Sequence, residues 1–76
     1  MNNAQRNDLH FDRVAEQAKE EGQASIGKVS KAKAVQLTFE AEKRGCSFAV
    51  DQHGTGLFLD ASQCRYDETS DDVVFF

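Results

Sequence analysis

A chain of 76 residues with 39% apolar side chains and a formal net charge of −4 has room for one small core and too little length for a deep pocket. With no proline or tryptophan and only five glycines, the composition argues against a floppy linker. It predicts a single domain over residues 1–76 whose polar end, residues 1–7, is disordered. No apolar run is long enough to span a bilayer or serve as a signal peptide, so the expectation is a cytoplasmic protein without membrane contact, its two cysteines reduced.

Residues 8–21, DLHFDRVAEQAKEE, carry the clearest helical pattern. Phe11, Val14, Ala15 and Ala18 recur at i, i+3, i+4 and i+7 and so share one face. Asp8 is the expected N-cap, and Gly22 the terminator in a left-handed conformation. Two of the four stripe residues are alanine, so this helix needs a sheet to lie on. Residues 23–33, QASIGKVSKAK, read as an ordered loop that tucks in Ile26 and Val29 and points Lys28, Lys31 and Lys33 outward.

The stretch from residue 31 to 44 supports two readings. As a helix it has good ends, with Ser30 as cap and Lys43, Arg44 and Gly45 as a C-terminal signature. Its interior is less obliging. Val35 and Phe39 lie on one side with Ala32, while Leu37 and Ala41 lie nearly opposite with Ala34, so that burial is demanded on two faces. As a strand, Val35, Leu37, Phe39 and Ala41 alternate cleanly with Gln36, Thr38, Glu40 and Glu42. The strand is the favoured reading because it extends into a meander. A loop over residues 42–45 puts Phe39 opposite Phe48. A two-residue turn at Gly54 and Thr55 puts Val50 opposite Leu59 and Phe48 opposite Ala61, leaving Phe58 on the outer face. Residues 62–72, SQCRYDETSDD, then form an acidic loop, and VVFF, residues 73–76, a fourth, edge strand.

The expected fold is therefore α+β, with one N-terminal helix packed on a three- or four-stranded antiparallel meander. The alternative is two helices plus a small antiparallel sheet.

The residues that carry chemistry are few. Cys46, Cys64, His10 and His53 are the only soft metal ligands, without the close cysteine pair that marks a zinc site. Asp51 and Asp60 read as solvated residues on the outer sheet face, and HGTGLF is too short for a phosphate loop and leads into a strand. The expectation is a protein with no catalytic residue, no metal and no cofactor.

Charge is the most one-sided feature. Residues 1–44 hold eight basic and seven acidic side chains, whereas residues 45–76 hold one and six. Acidic charge of this kind often does no more than keep a protein in solution. It also steers a basic partner. Asp60, Tyr66, Asp67, Glu68, Asp71 and Asp72, with Phe58 and Phe76 as aromatic anchors, are the expected protein-binding residues. The function expected is that of a non-catalytic interaction module, an adaptor or small inhibitor, docking on a protein with a basic surface. A homodimer that covers a sheet edge is also expected. The alternative is weak nucleic-acid binding through Lys28, Lys31 and Lys33 of the loop and Lys43 and Arg44 of the hairpin tip.

Overall fold

The computed structural model describes residues 3–76, with side chains from His10 onward. The elements follow as α1 (Asn3–Glu21), β1 (Gln23–Lys28), α2 (Lys31–Lys43), β2 (Ser47–Val50), β3 (Thr55–Leu59), β4 (Cys64–Asp67) and β5 (Asp72–Phe75). They build a small α+β domain in which the helices pack against antiparallel sheets. One sheet has the strand order β1-β3-β2 and the other is the β4-β5 hairpin. α1 lies mainly against β1, and α2 against β2.

α1 buries the stripe its sequence marks out, Phe11, Val14, Ala15 and Ala18. It begins at Asn3, so Asp8 is an interior position rather than the cap. Residues 3–7 contain neither proline nor glycine to stop the helix running back toward the start. The expected disorder over residues 1–7 falls, for residues 1 and 2, outside the described residues. The helix ends as expected, at Gly22 with φ +93, whose N–H donates to Ala18 O at 2.7 Å.

The segment read as a loop over residues 23–33 is instead strand β1 followed by the start of α2. Ala24 is buried, and Ile26 and Val29 pack half-buried against the core. The register against β3 slips between Ser25 and Gly27. Gly27 has φ +89 there, and its N–H donates to Ser25 Oγ at 3.3 Å. This one-residue bulge masks the alternation by which strands are recognised.

The strand reading of residues 31–44 is overturned: Lys31–Lys43 is helix α2, and the two-helix alternative is the architecture. Local capping decides it. Ser30 Oγ accepts from Lys33 N at 3.2 Å, and Ser30 O accepts from Ala34 N at 2.8 Å. Thr38, β-branched and poorly suited to a helix, returns its hydroxyl to Ala34 O at 2.9 Å. At the far end Gly45, with φ +77, donates to Glu42 O at 3.1 Å. The demand for burial on two faces is simply not met. Leu37 and Ala41 are fully buried, whereas Val35 stays 59% and Phe39 61% exposed.

The β2–β3 hairpin exists, but in another register. Phe48 pairs with Phe58 and Val50 with Gly56, three residues away from the expected partners. An odd offset turns β3 over, so Phe58 faces the core at 0% exposure and Ala61 lies beyond the strand, exposed. Turn chemistry sets the offset. Asp51 Oδ1 accepts from His53 N and Thr55 N, both at 2.9 Å. Gly54 N donates to Asp51 O at 3.0 Å, and Gly54 takes φ +81. The loop is thus the four residues DQHG, with aspartate first and glycine fourth, as a type I turn prefers. Phe58 becomes the centre of the core, 6.3 Å from the rings of Phe11 and Phe48. Burying one such ring contributes about 1.5–3 kcal/mol.

Residues 62–72 are not one loop, and VVFF does not add a fourth strand to the main sheet. Cys64 pairs with Phe75 and Tyr66 with Val73 in a separate hairpin. That hairpin docks where α1 passes into β1. Cys64 Sγ donates to Gly22 O at 2.6 Å, Asp60 N donates to the same oxygen at 2.9 Å, and Gln63 Nε2 donates to Lys19 O at 2.6 Å. The Phe75 ring covers Gly22 so closely that a Cβ there would overlap its Cε2 and stand 3.1 Å from Cδ2. Among the described residues no helix is long and apolar enough to cross a membrane.

Candidate interaction surface

Four of the six acidic residues beyond Gly45 sit in and hold turns. Asp51 organises the β2–β3 turn, as above. Asp60 Oδ1 accepts from Ser62 N at 3.1 Å and from Ser62 Oγ at 2.8 Å, and its Oδ2 accepts from Gln63 Nε2 at 2.9 Å. Asp67 accepts from Thr69 N at 3.1 Å and Ser70 Oγ at 3.0 Å in the β4–β5 turn. Asp71 closes that turn with φ 55, a conformation aspartate tolerates better than most residues. Asp72 accepts from the adjoining Val73 N at 2.8 Å, and Glu68 stands exposed. The hydrogen bonds hold two carboxyls below the usual range: Asp60, chiefly through the Ser62 hydroxyl, and Asp67, chiefly through the Ser70 hydroxyl. These groups therefore stay negative under mildly acidic conditions.

Tyr66 is where the charge gathers. Its hydroxyl donates to Asp71 Oδ1 at 2.5 Å. Its pKa is pushed up to about 12, first by that bond, then by desolvation and by the negative charges of Asp71, Asp51 and Glu68. Carboxylates from two separate turns thus act on one phenol. Beside it lies an open recess of about 340 Å³, bounded by Ser47 of β2, Leu59 of β3, Cys64, Arg65 and Tyr66 of β4, and Glu68, so that one cation stands among its walls.

The remaining expected residues distribute unevenly. Asp60 sits apart, with Ser62, Gln63 and the charge of Lys19. Phe76 is 76% exposed and its neighbour Phe75 52%. Phe58, placed by sequence reasoning on the outer face as an anchor, is fully buried and offers nothing to a partner. Asp51, which the sequence places with the acidic segment in one negative patch, adds its charge to the raised pKa of Tyr66.

The basic residues do not assemble into one patch. Lys28 and Lys31 stand at the start of α2 and Lys43 at its end, about 20 Å away at 1.5 Å per residue, while Lys33 and Arg44 both reach the Phe11 ring between them. Lys33 Nζ lies 5.5 Å from the Phe11 ring centroid, and Lys43 pairs with Glu40 at 3.6 Å. Arg44 is built into the structure. Its Nε donates to Asp12 Oδ1 at 2.7 Å, its Nη1 to Glu40 Oε1 at 2.7 Å and to Glu40 O at 3.0 Å, and its guanidinium stacks 5.7 Å from the Phe11 centroid.

Both thiols are buried and unbridged, and burial pushes both up in pKa, which makes them poor nucleophiles. Among the described residues, no group of three or more histidine, cysteine, aspartate or glutamate side chains is arranged to hold a metal ion. In comparisons with known proteins, no family model, no curated protein and no solved structure matches the chain.

Proposed function

We propose that this protein is a non-catalytic interaction module, an adaptor or small inhibitor, whose acidic end docks on the basic surface of another protein. The convergence of Asp51, Glu68 and Asp71 on Tyr66, next to an open recess, is the observation that supports it. A half-exposed phenol offers an amphipathic contact, and the surrounding carboxylates steer a cationic surface toward it. Nothing comparable favours the nucleic-acid alternative, because Lys43 and Arg44 are engaged by Glu40 and Asp12.

The test is capture of basic proteins from native lysate, followed by association kinetics with the purified partner. Neutralising the site with Glu68→Gln, Asp71→Asn and Asp72→Asn together is expected to slow association at least tenfold at low salt, and 0.5 M salt is expected to slow the wild type similarly. A complex whose rates ignore both the substitutions and the salt would remove the acidic end from consideration.

A further inference from the structure

We propose that the outer face of α2 is a self-association surface, on which a second copy of this chain lays its own α2 antiparallel. Two observations lead there. Val35 and Phe39, one helical turn apart, are 59% and 61% exposed on the side opposite the buried Leu37 and Ala41. They form an apolar ridge flanked by the small, exposed Ala32, a shape that admits a second helix at close range.

The charges beside this ridge are self-complementary. Lys31 and Glu42 fall on the same flank, about 20° apart around the axis, near the two ends of α2. Turned end to end about a point level with Leu37, one helix brings its Lys31 to Glu42 of the other, and its Glu42 to the other Lys31. Val35 of each then meets Phe39 of the other. A twofold interface needs this reciprocity, and a foreign partner would have no reason to match it.

Among the described residues neither Lys31 nor Glu42 is in an ion pair; Glu40, not Glu42, takes Lys43 and Arg44. The contact is small beside a stable interface of about 1,600 Å², so the dimer is weak.

Sedimentation equilibrium on the full chain from 10 µM to 1 mM in 0.15 M salt tests the proposal. The wild type is expected to move from monomer to dimer across that range. Phe39→Glu is expected to raise Kd at least tenfold with the far-UV circular dichroism unchanged, since the ring lies outside the core. Lys31→Glu alone is expected to weaken the dimer, and Lys31→Glu with Glu42→Lys to restore it. A monomer at 1 mM overturns the proposal. So does a dimer that survives Phe39→Glu, which would assign the contact to the exposed C-terminal aromatics, or failure of the double swap to rescue. Loss of binding to a foreign protein by Phe39→Glu, without self-association in the wild type, would give the face to that protein instead.

Discussion

Replacing Gly22 with alanine tests the packing of the whole molecule at one atom. Gly22 holds φ +93, and a non-glycine residue in that region costs about 1–3 kcal/mol. The added methyl would also overlap the Phe75 ring, and overpacking costs about 1–3 kcal/mol more. Against a total stability of about 4–11 kcal/mol for a chain of this length, Gly22→Ala is expected to remove about 2–6. The two parts are separable. Phe75→Ala alone loses a half-exposed ring, about 1 kcal/mol, and in that background the methyl has space, so only the backbone cost remains. A double-mutant cycle from urea titrations followed by far-UV circular dichroism is expected to show coupling of about 1–3 kcal/mol, with m unchanged. A Gly22→Ala protein as stable as the wild type would refute the conformational argument. Zero coupling would refute the docking of the hairpin through Phe75.

Arg44→Ala removes the tie between α1 and α2 and leaves the half-buried Glu40 with Lys43 alone, at an expected cost of about 1–3 kcal/mol in chemical denaturation. The same pair sets an acid limb. The Arg44 hydrogen bond holds Glu40 below its ordinary value of 4.5, so the stabilisation is full above that pH and is lost as pH falls through the depressed folded value. Thermal unfolding between pH 5 and 3 should therefore depend less on pH in Arg44→Ala than in the wild type. Tyr66 titrates in the opposite sense. Its raised pKa stabilises the fold below its ordinary value of 10.0 and is lost as pH climbs through about 12, so absorbance at the tyrosinate band is expected to show a midpoint near 12 that drops toward 10 in Asp71→Asn. Ser30→Ala, which deletes the α2 cap, is expected to cost about 1 kcal/mol in the same urea titration.

The parts of the fold that were readable from residues alone are those fixed by local chemistry. The α1 stripe, its stop at Gly22, the Ser30 cap and the Lys43–Arg44–Gly45 ending all stand where the pattern puts them. What misled was a tertiary choice. In residues 31–44 alternation and helical spacing compete, and the helix wins by leaving Val35 and Phe39 in water, which a reading that requires every apolar side chain to be buried rejects. The β2–β3 register failed for a different reason. HGTG drew attention to Gly54, whereas the turn begins at Asp51, and an offset of three exchanges inside for outside, carrying Phe58 from supposed anchor to core. β1 was hidden by its bulge at Gly27. At the acidic end the residue types were legible, but the approach of Asp51 to Tyr66 depends on two turns meeting in space, which no single stretch of sequence encodes.

The aspartates at the bends impose a constraint on how the molecule's exterior can be recoloured. Asp60 and Asp67 accept with both carboxylate oxygens, whereas Asp51 holds two backbone N–H groups with Oδ1. An amide keeps that oxygen and discards the charge, while lysine discards both. The sign of the surface can be erased at the Asp51 corner with its bonds kept, while at Asp60 and Asp67 an amide also gives up one accepting oxygen. Glu68, whose side chain holds no donor among the described residues, is the position where a full reversal leaves the architecture untouched.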